Sequence, residues 1–183
     1  MRKAIVVGLL GAVLSVPAHA HLMENQQGTL NIVGQRGYLV ISLPVSALKG
    51  VDDNRDGRLD DVELRKYAGA IERDVRSRLR VFDGSKAAPL DGLLLNLSPD
   101  ENHREGGPAT HLVVLAVAMF PSVPCDPLME IRIFGRRPGE NSYRFTTTRR
   151  DAAGARAREF VVRFTEKSTR KNLIPESDDG CNP

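Results

Sequence analysis

Segment after segment of this chain places apolar side chains at every second position, and no other feature limits its fold so tightly. In EFVVRFTE, Phe160, Val162 and Phe164 share one face, while Glu159, Arg163 and Thr165 mostly face the other. In MEIRIFG the same alternation turns Met129, Ile131 and Ile133 inward and leaves Glu130 and Arg132 outward. A period of two belongs to the pleated strand. Strand patterning also marks TLNIV, GYLVISLPV, RLRVFDG, LDGLLLNLS, HLVVLAVAMF and SYRFTTTR, and the turn GQRG joins the first two of these as a hairpin. Seven or eight short strands with Gly/Pro-rich turns predict a mainly β chain, an immunoglobulin-like β-sandwich. There is no tryptophan, so the Cys…Trp…Cys spacing of antibody domains is missing and the expectation concerns architecture alone.

One stretch departs from this period. From Asp61 to Arg78, Leu64, Tyr67, Ala68, Ile71 and Val75 recur at intervals of three and four, and Leu79 continues the row. Arg65, Lys66, Glu72, Arg73 and Arg76 fall opposite. This predicts one amphipathic helix over 61–78, inserted in a β protein.

The first twenty residues have the form of a secretion signal. Arg2 and Lys3 precede the apolar run Ala4–Val16, and Ala18-His19-Ala20 supplies a small-x-small cleavage pattern. Cleavage there would leave a single domain from 21 to 183 and lower the formal net charge from +3 to +1 by removing Arg2 and Lys3. The apolar run is too short to span a bilayer, as is the ten-residue HLVVLAVAMF. The expectation is therefore a periplasmic or secreted protein that does not span the membrane. Cys125 and Cys181, an even pair in an oxidising compartment, would bridge and tie the C-terminal tail to the SVPCDP loop. The chain-entropy account assigns such a loop roughly 4 kcal/mol.

The helix begins inside GVDDNRDGRLDDVELRKY, which crowds six acidic side chains around Gly57. Counted from Asp52, oxygen-bearing side chains fall at the first, third, fifth, ninth and twelfth places: Asp52, Asn54, Asp56, Asp60 and Glu63. Gly57 is sixth and Leu59 eighth. The stretch fits D-x-[DN]-x-[DN]-G-x₅-E at every specified position and resembles an EF-hand calcium loop, over Asp52–Glu63 and the helix that follows.

The resemblance implies Ca²⁺ as the cofactor, a hard cation taking six to eight oxygens. Asp52, Asn54 and Asp56 would each give a side-chain oxygen, Arg58 its backbone carbonyl, and Asp60 an oxygen directly or through water. Glu63 would reach back from the helix with both oxygens. Gly57 permits a positive φ, Leu59 would anchor the loop in the core, and Asp60 and Glu63 have capping-box spacing. The two charges of the ion then cancel half of those on the four ligand carboxylates and leave an excess of two, so the repulsion is greatest without the ion. An EF-hand has a helix on both sides, usually in pairs. Here LPVSALKG, with Pro44, leaves room for about one helical turn before the loop, and no second loop exists. A lone loop suits a weak structural clip better than a paired switch.

Other chemistry is sparser. Cleavage after Ala20 would expose His21, whose amine and imidazole could hold copper with His103 or His111, as in periplasmic copper carriers and copper oxygenases. From Ile131 to Lys171 twelve Arg/Lys face four Asp/Glu, and Arg136-Arg137, Arg149-Arg150 and Arg170-Lys171 could contact an acidic polysaccharide or lipid headgroups. Few aromatics interleave them, which speaks against nucleic acid. No Gly-x-Ser-x-Gly, His-Glu-x-x-His or phosphate-loop motif occurs, so the reading is a calcium-binding module rather than an enzyme, with an envelope or extracellular protein or polysaccharide as partner. REGGPAT (Arg104–Thr110) reads as an exposed loop.

Overall fold

A computed structural model describes residues 25–98, 107–150 and 157–175. Ten strands and one α-helix follow in the order β1 (Gln27–Val33), β2 (Arg36–Pro44), a 3-10 turn (Val45–Ala47), α1 (Asp61–Arg78), β3 (Leu79–Asp83), β4 (Lys86–Ala88), β5 (Leu90–Ser98), β6 (His111–Met119), β7 (Pro127–Ile131), β8 (Ser142–Arg150), β9 (Ala157–Thr165) and β10 (Arg170–Asn172). They form a six-stranded sheet, β5-β6-β2-β1-β8-β9, and a four-stranded sheet, β10-β7-β3-β4. The protein is thus mainly β, with two sheets and one helix, consistent with a β-sandwich. Neighbouring strands are antiparallel except β1 and β8, which run parallel from Gln27↔Arg144 to Ile32↔Arg149. The β1–β2 hairpin closes through Gly34-Gln35 after the pair Val33↔Arg36, and Gly34 takes the left-handed φ of +58° that so tight a turn requires.

Period-two patterning explains why one core forms. Leu30 and Ile32 from β1, Leu39, Ile41 and Leu43 from β2, and Phe145 and Phe164 from β8 and β9 are buried together with Val81, Met129 and Ile131 of the smaller sheet. Phe145 and Phe164 meet edge to face, with ring centroids 6.0 Å apart. Helix α1 adds Ile71 and Val75 to the same core, with Leu64 and Tyr67 packed partly against it, while Arg65, Lys66 and Arg73 stay on the outer side. Apolar spacing of three and four thus seats α1 over the span its periodicity indicates, and Leu79 turns the chain directly into β3.

Three expectations need correction. Strand β7 ends at Ile131, so MEIRIFG is extended in its first half only. Glu130 is buried, not outward, because Arg132 (2.5 Å) and Arg80 (3.9 Å) fold over it as ion-pair partners. The end of REGGPAT is not an exposed loop either: Ala109 is fully buried, for a reason that belongs to the acidic loop. The proposed signal, His21, His103 and Cys181 lie outside the described residues, and with them the cleavage site and the second half of the expected Cys125–Cys181 bridge. Among the described residues, no helix is long and apolar enough to cross a membrane.

A candidate metal loop at the helix entrance

The acidic stretch leaves the 3-10 turn at Ala47 and enters α1 at Asp61, closed on itself by its own carboxylates. Asp52 Oδ2 accepts the Gly57 N–H at 2.9 Å across the loop. Asn54 Oδ1 accepts from Asp56 N (2.9 Å), and Asp56 Oδ1 from Arg58 N (2.8 Å). These local bonds hold a coil that needs left-handed residues at Arg55 (φ +59°) and Gly57 (φ +75°). Glycine suits the second of these for its left-handed φ, and a Cβ there would also displace the end of the Arg137 side chain, whose Nη2 would stand 2.0 Å away.

Helix α1 starts with a complete capping box. Asp60 Oδ1 accepts from Val62 N and Glu63 N, each at 2.8 Å, while Glu63 Oε2 accepts from Asp60 N at 3.2 Å. Glu63 is buried, and its other oxygen, Oε1, accepts from Asp53 N at 2.7 Å, so one carboxylate ties both ends of the loop together. Asp53 points away, to Lys66 Nζ (2.5 Å) and the Tyr67 hydroxyl. Those two hydrogen bonds, Lys66 first, hold the Asp53 carboxyl below its ordinary value, and the Asp53 contact raises the Lys66 ammonium above its own.

Two long-range contacts fix the loop to the β framework. Leu59, fully buried, forms an isolated antiparallel bridge with Ala109, with 2.9 Å bonds in both directions. This bridge is what buries the end of the REGGPAT segment. Arg58 reinforces it by donating from Nη1 to Pro108 O at 3.1 Å. On the other side Arg137 Nη2 donates to Gly57 O at 3.0 Å.

All six residues expected to hold an ion, Asp52, Asn54, Asp56, Arg58, Asp60 and Glu63, therefore lie in one folded loop. They are not gathered into a finished ligand set: among the described residues, no three His, Cys, Asp or Glu side chains converge closely enough to hold a metal as they stand. The carboxylates are spent instead on backbone N–H groups, as mutual repulsion would dictate. One atom is the exception. Asp52 Oδ1 is buried and has no hydrogen-bond partner among the described residues, an orphaned acceptor at the first position of the loop.

Of the histidines proposed for copper, only His111 is among the described residues. It is buried at the start of β6, with Nε2 2.7 Å from Gln26 Nε2 and Nδ1 3.1 Å from Thr110 Oγ1. Sequence reasoning missed Arg137 and Ala109 as parts of the loop's setting. Both are distant in sequence, and neither residue type signals such a contact. No protein-family model matches the chain, and no curated protein matches it in sequence.

Proposed function

We propose that Asp52–Glu63 binds one calcium ion, which orders the connection between β2 and α1. In this reading the protein is a structural or interaction module of a periplasmic or secreted setting, with an envelope or extracellular protein or polysaccharide as its partner. The observation that carries the reading is Asp52 Oδ1. A buried carboxylate oxygen without a donor is costly, and a cation is the group that would offset it. The donor set supports the choice of metal. Carboxylate, amide and backbone oxygens with no nitrogen or sulfur suit a hard ion, and a flexible oxygen-rich loop suits calcium better than the rigid octahedron of magnesium.

Asp52, Asn54 and Asp56 would supply one side-chain oxygen each, Arg58 its carbonyl, Asp60 an oxygen directly or through water, and Glu63 both carboxylate oxygens. Binding requires these groups to exchange some backbone N–H partners for the ion, a reorganisation that favours weak affinity, with Kd about 10⁻⁴ to 10⁻³ M. At ten times Kd, linkage adds about 1.4 kcal/mol to stability. The test is calorimetric titration of chelator-treated protein with CaCl₂, alongside thermal melts in calcium and in chelator. Saturable heat and a higher melting temperature in calcium are expected. No heat at millimolar calcium together with superimposable melts would overturn the proposal.

A further inference from the structure

Beside the acidic loop lies a cleft of about 540 Å³, and its charge is the reverse of the loop's. Ser46, Lys49, Arg136 and Arg137 line it from two chain segments, together with Asp52 and Gly57 of the acidic loop. This gives a setting to Arg136-Arg137, a pair of which only Arg137 touches the acidic loop.

The backbone that carries the two arginines is pinned by hydrogen bonds. Glu140, buried, accepts from Arg137 N at 3.1 Å and from the Ser46 hydroxyl, and Ser46 Oγ in turn accepts from Arg136 N at 2.9 Å. Gly135 and Glu140 close the turn, with Gly135 N donating to Glu140 O at 2.9 Å. A side chain at Gly135 would not fit, since a Cβ would stand 2.2 Å from Glu140 Oε2 and 2.7 Å from Ser46 Oγ. Arg136 and Lys49 are both exposed, each on its own segment of the lining. Arg137 faces both ways, because its guanidinium also donates to Gly57 O of the acidic loop. Guanidinium and ammonium groups that line one cleft supply the kind of donors that recognise carboxylate and phosphate oxygens.

We propose that this cleft binds a small oxyanion, the carboxylate or phosphate group of a sugar-sized ligand, and that calcium in the adjoining loop strengthens the binding. The second half rests on the calcium reading. Its sign follows from Asp52, which also lines the cleft and repels an anion until a cation offsets its charge. Because linkage is reciprocal, the anion must tighten calcium binding by the same factor.

The experiment titrates the full chain with D-glucuronate and with glucose 6-phosphate, with glucose as neutral control, in chelator and in saturating calcium. Calcium binding is measured separately by calorimetry. Saturable binding of an acidic sugar at millimolar concentration is expected, tightened about fivefold or more by calcium, and preference between the two acids identifies the group. Lys49→Gln/Arg136→Gln should weaken it about tenfold or more, read alongside a melting curve that reports whether the variant is folded. Absence of anion binding, or equal binding by the folded double variant, overturns the cleft. Anion affinity indifferent to calcium, in a chain that does bind calcium, overturns the coupling. If the chain takes up no calcium, the calcium reading and with it the coupling fail, while the titration in chelator still decides the cleft.

Discussion

Glu63 separates two roles that the acidic loop could combine, because as it stands its carboxylate is a loop staple and in the calcium-bound state it would be a ligand. Replacing it with glutamine keeps shape and volume. Glutamine offers one acceptor where the carboxylate offers two, so either Asp53 N (2.7 Å) or Asp60 N (3.2 Å) loses its partner and faces an amide donor at a buried site. Leaving a buried donor unsatisfied costs about 1–3 kcal/mol, and for a domain of this size each kcal/mol lowers the Tm by about 2–4 °C. Glu63→Gln should therefore melt roughly 4–8 °C below the parent in chelator, at about 2 kcal/mol. That drop reports the staple alone. Calcium reports the ligand: at about 10 mM, with Kd of 10⁻⁴ to 10⁻³ M, the parent gains about 1.4–2.7 kcal/mol. A tenfold weaker site forfeits about 1 kcal/mol of that gain. Paired differential-scanning melts of parent and variant, with and without calcium, measure both quantities. A variant that melts lower in chelator yet gains as much from calcium as the parent would refute the ligand role and leave Glu63 as a cap.

Leu59→Ala empties a fully buried site between the loop and the core, and should cost about 2–5 kcal/mol by urea denaturation even in chelator; a loss under about 1 kcal/mol would mean the loop is not anchored there. Tyr143 is fully buried, with a hydroxyl that no described group bonds, so Tyr143→Phe should leave stability unchanged or raise it by about 1 kcal/mol, and a clear loss would contradict that placement. Burial, then the Glu140 charge, pushes the Tyr143 phenol up, against the opposing Arg78; as the neutral form is favoured in the fold, this contribution to stability is present below the ordinary tyrosine value and is lost at higher pH, and phenolate absorbance from Tyr143 should appear only on alkaline unfolding. Asp53, held low by Lys66 and Tyr67, contributes stability above the ordinary aspartate value that fades as pH falls through its lowered one; Asp53→Asn should remove that part of the acid dependence of the Tm, and an unaltered profile would count against it.

What could be read from sequence was what local spacing encodes. The row Leu64, Tyr67, Ile71, Val75 repeats at helical intervals, so α1 was legible to its ends, and Asp60 with Glu63 marked its start. The fit of Asp52–Glu63 to a spaced motif was legible for the same reason. Strands β4 and β10 were not, because three residues carry too little alternation to register. Glu130 deceived because outward polarity is inferred from residue type, whereas it is covered by Arg132 and by Arg80, which the β3–β7 pairing sets opposite it from fifty positions earlier in the chain. The loop's supports, Ala109 through two backbone bonds and Arg137 through Gly57 O, arise from sheet closure between distant segments. The cleft was half visible, as the dipeptide Arg136-Arg137 without its setting.

Between β1 and β8 the chain makes its one parallel pairing among the described strands, and more than a hundred residues separate the partners. With β1 seated inside the larger sheet, a polypeptide appearing from its N-terminus cannot finish that sheet until the segment around Phe145 has followed. The earliest strand must wait, partly unpaired, through most of synthesis. Such distant closure slows folding, so the chain would stay pliable longer than a helical bundle of equal size and offer a chaperone a wider interval in which to hold it.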